Sequence, residues 1–241
     1  MIVDSTKKQG YGVVKKLFDT NLLDSLRALI IKHIHLFENT RSYSASRHLP
    51  SFHIYKSLSS LMALSQHPDI KILLNSVLGD YKFLNFSDIT INRSQPWHKD
   101  LLRGKYTKIY EGKKTICSDF HDHVYKLLIY LQDQSSLKII KNSHIEDIDL
   151  HSDEFAQPNT SDEIIKINSK KGDAILLDIC STHAGSNDDE CSSLDLFDQG
   201  NTKILITFVF GKTDSWLSGV MEEGNQARLI DWNKKYKKII V

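Results

Sequence analysis

Six short apolar runs of strand character follow Tyr81: Phe83 to Asn92, Val124 to Leu131, Leu137 to Ile140, Ile164 to Ile167, Ala174 to Leu177 and Ile204 to Phe210. Many short strands at irregular loop spacing predict a mainly β sandwich or open barrel rather than a regular alternation of strands and helices. The preceding residues differ in period. After a strand-like opening at Tyr11 to Val14, Thr20 is placed to cap a helix in which Leu22, Leu23, Leu26, Leu29, Ile30 and Ile34 recur at helical spacing. Two more helical stretches are expected, Ile54 to Ala63 and Pro68 to Val77, the second with Pro68 in its first turn and Gly79 as its stop. Without a linker or internal repeat, residues 1–241 read as one domain: a mainly helical flank (1–80), a β core (81–212) and a C-terminal helical segment (213–241). Lys234, Lys235, Lys237 and Lys238 fit the solvated end of that last helix.

Composition narrows the class of function. Lys and Arg number 31 against 30 Asp and Glu, a formal charge of +1. That balance gives no reason to expect binding to nucleic acid or to an anionic membrane. Cys117, Cys180 and Cys191 are odd in number and lack metal-type spacing, which argues against a disulfide framework or a zinc knuckle and favours a reducing cytoplasm. The stretch Met1 to Lys8 has no apolar core of a signal peptide, and no later segment approaches the ~20 apolar residues of a membrane span. The expectation is a soluble cytoplasmic protein whose partner is a small molecule.

One short motif carries chemistry. In Gln95-Pro96-Trp97-His98-Lys99-Asp100-Leu101, an extended backbone turns His98 and Asp100 to the same side. A third ligand is available at His183, just past the strand-like run Gly172 to Asp178. Two histidines and one carboxylate on one face of a metal leave the opposite face open, the ligand set that suits non-heme Fe(II) oxygenases.

Four segments, in order, carry a resemblance: Trp97 to Asp100, Lys126 to Asp133, Leu137 to His144, and Gly172 to Asp178 with His183. Together they resemble the phytanoyl-CoA dioxygenase family of Fe(II)/2-oxoglutarate-dependent oxygenases. The resemblance implies a double-stranded β-helix, or jelly roll, with iron held by His98, Asp100 and His183. It implies 2-oxoglutarate and O₂ as co-substrates, with hydroxylation of an unactivated C–H bond of a small molecule, an anionic one included, and release of succinate and CO₂. The family places an arginine before a late apolar strand to meet the far carboxylate of 2-oxoglutarate. Here Lys203 stands there, a point charge without the planar fork of arginine. Thr207 shares its strand face, and Asn92 matches an asparagine often found near the co-substrate. The acidic stretch Asn187 to Glu190 with Ser192 to Gly200 reads as a loop insertion. Lys141 to His144 lacks the Pro-Gly that commonly precedes Ser-His. Two other functions stay open: a cupin-like metal-binding protein without oxidation, and an oxygenase of a carrier-bound or macromolecular substrate.

Other polar residues have plainer readings. His121-Asp122-His123 has metal-type spacing with no further ligand tied to it. His144 reads as a turn residue, and His33, His35, His48, His53, His67 and His151 as surface or locally hydrogen-bonded. On the strand after Val124, some of Tyr125, Lys126 and Tyr130 face the interior. Lys99, Arg103, Lys105, Lys108, Lys113 and Lys114 read first as a solvated loop and second as a lid attracting an anionic substrate.

Overall fold

Asp19 initiates the first long helix: its Oδ1 accepts from the amides of Asn21 and Leu22 at 2.8 and 3.2 Å. Thr20 is therefore the first helical residue and not the cap, because the carboxylate one position earlier takes the free amides of the first turn. The computed structural model describes residues 2–102, 115–147, 158–198 and 202–236. Its helices are α1 (Ile2–Gln9), α2 (Thr20–Lys32), α3 (Pro68–Leu78), α4 (Cys117–Phe120), α5 (Asp188–Ser192) and α6 (Trp216–Tyr236). Its strands are β1 (Tyr11–Val14), β2 (Arg47–Leu49), β3 (Tyr81–Ile91), β4 (Val124–Tyr130), β5 (Gln134–Ile140), β6 (Ile164–Ser169), β7 (Ala174–Asp178), β8 (His183–Ala184) and β9 (Ile204–Lys212).

The expected helix at Ile54 to Ala63 is instead a pair of 3₁₀ segments, Phe52–Ile54 and Lys56–Gln66, which still bury Leu58, Leu61 and Leu64. α1, β2 and β8 are short elements whose sequences carry no periodic signal. The acidic stretch after Asn187 opens as a helix rather than a loop. Asn187 Oδ1 accepts from the Glu190 amide at 2.7 Å, and the Glu190 carboxylate accepts from the Asn187 amide at 3.1 Å. This reciprocal cap closes both ends of the first turn.

The strands form two antiparallel sheets, a six-stranded one in the order β1-β7-β4-β9-β3-β2 and a three-stranded one in the order β6-β5-β8. This is the double-stranded β-helix, with helices on the outside of the larger sheet. β4 shows why its sequence fits. Tyr125, Leu127 and Ile129 point outward into the core under α2, α3 and the 3₁₀ segments, while Leu128 and Tyr130 point between the sheets toward Leu137, Ile139 and Ile167. Strand β7, Ala174 to Asp178, is buried at every position, and its unbroken apolar run needs no alternation because both faces are covered. On β3, Leu84, Asn85 and Phe86 stand opposite the single residue Val209 of β9, a bulge that bends the strand beneath α6. Among the described residues no helix is long and apolar enough to cross a membrane.

The ring of Phe208 is fully buried, 5.5 Å from Phe52 and 6.5 Å from Phe210. Phe208→Ala should therefore cost about 3–5 kcal/mol in urea unfolding. A loss below about 1 kcal/mol would mean that the outer face of β9 is not packed this way.

Candidate metal centre

Backbone pairing brings the two histidines together. His98 N donates to His183 O at 3.0 Å and His183 N to His98 O at 2.9 Å. Farther along, Gln95 N donates to Ser186 O and Gly185 N to Gln95 O. The segment before Asp100 thus lies along β8 as a further ribbon of the smaller sheet, while β8 pairs on its other side with Lys138 and Ile139. Gly185 permits this approach, since a Cβ there would sit 3.2 Å from Gln95 Cβ. The imidazole centroids are 4.3 Å apart.

Each ring is fixed in one tautomer. His98 Nδ1 lies 2.7 Å from Pro96 O and His183 Nδ1 lies 2.9 Å from Ser181 O. A carbonyl can only accept, so both Nδ1 atoms carry a proton, and Nε2 is the atom that each ring would offer to a metal. Asp100 completes the set: its Oδ1 is 3.5 Å from His98 Nε2 and its Oδ2 is 3.6 Å from His183 Nε2. All ligating atoms lie within 4.8 Å of one another and all three residues are buried. With metal bonds of about 2.0–2.2 Å, ligand atoms on one ion sit roughly 3 to 3.5 Å apart, so the trio fits a single cation with little movement. Burial opposes the Asp100 charge, but Lys126, whose Nζ is 2.7 Å from Oδ2, and the two histidines outweigh it and hold the carboxyl well below the usual range. Burial, followed by the neighbouring His98, lowers His183 to about 3, so it remains a neutral ligand near pH 7.

The trio opens on a cavity of about 470 Å³ between the sheets. Alternation sets the floor: Lys126, Leu128 and Tyr130 come from β4, Leu205 and Thr207 from β9, and Phe86, Asp88 and Thr90 from β3. Lys203, just before β9, reaches the same space. Its Nζ donates to Ser136 Oγ at 2.7 Å and Ser186 Oγ at 3.0 Å and lies 5.8 Å from the Tyr130 ring centroid. Burial lowers its pKa, and no carboxylate among the described residues is in ion-pair contact with it. Thr207 lines the cavity, as its shared face with Lys203 predicts. Asn92 does not. Its Oδ1 accepts from Lys203 N at 2.7 Å and its Nδ2 donates to Asp195 O at 3.3 Å, so its amide braces the chain beneath Lys203.

The wall opposite the smaller sheet comes from residues that sequence reasoning passed over. Asp88 accepts from Arg228 through two bonds of 2.7 and 2.9 Å and from Ser51 N, and it lies 3.0 Å from His48 Nε2. The Arg228 guanidinium stacks 4.2 Å above the Phe86 ring. α6 is tied to β3 by Glu222, which pairs with Lys82 and Asn85, and by Asn225, whose Nδ2 donates to Leu84 O at 2.6 Å. His48, for which the sequence suggests a surface or locally hydrogen-bonded place, is buried against Asp88 and lines the cavity. Only the 3.6-residue period of α6, which brings Gly224, Arg228 and Asp231 to one side, hinted at this wall.

Other candidates lie elsewhere. His121 Nδ1 bonds Cys117 O and His123 Nδ1 bonds Ser215 Oγ, so the pair braces separate segments. His144 sits in the turn after β5 with Nε2 3.1 Å from Lys7 O. Lys99 is a buried anchor, neither solvated nor part of a lid: its Nζ donates to Ser143 O and Glu146 O at 2.8 and 2.9 Å. Residues 103–114, His151, and Lys237 and Lys238 lie outside the described residues.

Burial lowers His48 from 6.5 to about 4, with Asp88 only partly offsetting it. From about pH 6.5 down to about 4 the unfolded chain binds this proton and the folded chain does not, so stability falls as the pH drops through that window. His48→Gln should make the slope shallower in urea unfolding of metal-free protein between those limits. An unchanged slope would show that His48 does not bury its neutral form.

No family model matches the sequence, and no curated protein matches it. Solved structures do match in fold. The chain is similar to the non-heme alpha ketoglutarate dependent epimerase SnoN from nogalamycin biosynthesis, with a TM-score of 0.63 and 12% identity over 88% of this chain and 82% of that one. For the alpha ketoglutarate dependent carbocyclase SnoK, also from nogalamycin biosynthesis, the TM-score is 0.65 at 12% identity over 88% and 83%. HygX from Streptomyces hygroscopicus with iron bound gives 0.61 at 15% identity over 88% and 86%. At these identities the likeness is one of fold: this chain has the fold of alpha ketoglutarate dependent enzymes.

Proposed function

We propose that the chain is an Fe(II)- and 2-oxoglutarate-dependent oxygenase that hydroxylates a C–H bond of a small molecule. The observation that carries this reading is the convergence of His98, Asp100 and His183 at one end of a cavity that also holds the Lys203 ammonium without an ionic partner among the described residues. When bound, Fe(II) with 2-oxoglutarate and O₂ supplies the oxidation, with succinate and CO₂ as co-products. Everything else is the task of the protein.

His98, Asp100 and His183 would hold the metal from one side. Lys203 would neutralise the far carboxylate of 2-oxoglutarate, its ammonium aimed by the Ser136 and Ser186 hydroxyls, with Thr207 as a further hydroxyl on the same floor. Leu128, Leu137 and Leu205 keep the space between them dry, which strengthens each of these charge contacts. Phe86 and the fixed Asp88–Arg228 pair would bound the substrate on the far side. The neighbours SnoN and SnoK are named as an epimerase and a carbocyclase, so reactions other than hydroxylation are found on this fold. The intact carboxylate at Asp100 favours hydroxylation over halogenation, since a small residue there would open a position for halide; desaturation, ring closure and epimerisation would use the same centre. The finer resemblance to the phytanoyl-CoA dioxygenase family rests on the four sequence segments.

Anaerobic addition of Fe(II) and then 2-oxoglutarate should produce a weak visible charge-transfer band that His183→Ala and Asp100→Ala abolish. Lys203→Met should raise the 2-oxoglutarate concentration for half-saturation about tenfold to a hundredfold, as loss of one charge-assisted bond does, while Lys203→Arg keeps it low. Iron binding without a band would instead favour a metal-binding protein of this fold that does not use 2-oxoglutarate.

A further inference from the structure

A metal centre of two histidines and a carboxylate does not require an ammonium, yet this one has Lys126. β4 turns it into the cavity, and its Nζ lies 2.7 Å from Asp100 Oδ2, the oxygen that is 3.6 Å from His183 Nε2. Both side chains are largely buried, 12% and 11% exposed. Among the described residues Asp100 is the ion-pair partner of Lys126. Of the other carboxylates that line the cavity, Asp88 is taken up by Arg228, His48 and Ser51 N, and Asp231 belongs to α6. The Phe86 ring, 5.9 Å from Nζ, stands between Lys126 and the stacked Arg228.

Charge accounting then distinguishes this site from one without the lysine. With no metal bound, the Asp100 carboxylate and the Lys126 ammonium in contact with it cancel, so the buried carboxylate is satisfied by its ammonium. A divalent cation arriving alone meets a carboxylate already engaged and an ammonium in contact with it, and the site gains two uncompensated positive charges in a medium of low dielectric. A chelating dianion removes that excess. We propose that Lys126 is a positioning residue that makes metal binding depend on a co-bound anion: it holds Asp100 when no metal is present, opposes a divalent ion alone, and favours the ion together with a dianionic chelator. The inference rests on the reading of His98, Asp100 and His183 as a metal centre.

The sign of one measurement separates this role from simple orientation. If Lys126 only aimed Asp100, its loss would weaken metal binding about tenfold to a hundredfold, as loss of an outer partner commonly does. If its charge opposes the metal, its loss must strengthen binding of the metal alone. Co(II) affinity would be measured by calorimetry on the full chain, with and without saturating N-oxalylglycine, for wild type, Lys126→Met and Lys126→Arg. The expected result is that Lys126→Met binds Co(II) alone at least about tenfold more tightly. The factor by which N-oxalylglycine tightens Co(II) binding should fall by a similar amount, with Lys126→Arg close to wild type in both. Thermal unfolding adds a second readout: Lys126→Met should melt lower without metal and gain more on adding Co(II). Equal or weaker Co(II) binding by a folded Lys126→Met, with an unchanged N-oxalylglycine effect, overturns the proposal and leaves the metal centre standing. Failure of wild type to bind Co(II) at all overturns both.

Discussion

Two backbone hydrogen bonds between His98 and His183 hold the centre together, and much of the fold exists to make them possible. The segments they join belong to opposite parts of the chain. β8 is only two residues long and gains its place from β5 on one side and from the ribbon before Asp100 on the other. The side chains then follow with little freedom, because directly opposed residues of an antiparallel pair project to the same face. Lys99, between the two ligands of the first segment, is driven the other way and anchors on the carbonyls of Ser143 and Glu146. One alternation thus delivers two ligands inward and one fastening outward.

Electrostatics complete what the backbone begins. Three buried ionic arrangements surround the cavity, and they differ in how fully each is satisfied. Asp88 is saturated by Arg228, His48 and Ser51, so it serves as a fixed wall. Asp100 is shared between an ammonium and two imidazoles and can exchange partners. Among the described residues Lys203 meets hydroxyls and an aromatic face and no carboxylate in ion-pair contact. A buried charge without a counter-ion is costly, and a protein retains one where a ligand will supply the partner.

The β core and the His98–Asp100 pair were legible in the sequence because each depends on a local rule, while His183 was marked by the strand-like run before it and by the order of the resembling segments. Short apolar runs marked the strands from Phe83 to Phe210, and the i, i+2 spacing of His98 and Asp100 put both on one face. What was not legible is non-local. His48, Asp88 and Arg228 meet through three distant segments, and nothing in their neighbourhoods announces it. Lys126 could be placed on an inward face, yet its contact with Asp100 follows from the packing of one sheet on the other. Asn92 shows the reverse error: motif analogy pointed it toward the co-substrate, while its buried amide is spent on Lys203 N and Asp195 O. The Asp19 cap and the Asn187–Glu190 box were missed for a simpler reason, since several polar residues near each helix start could have served and only geometry decides among them.

The order of strands has a bearing on how the chain is made. β1 pairs with β7 and β3 with β9, each across more than 100 residues, and β4 lies between β7 and β9, with partners 45 to 87 residues downstream. During synthesis on the ribosome, the His98–Asp100 segment emerges long before β8 exists to receive it. A topology so rich in distant pairings folds slowly and late. The nascent chain therefore cannot gather His98, Asp100 and His183 piecemeal, and the trio is complete only when the walls of the cavity around it are already being built.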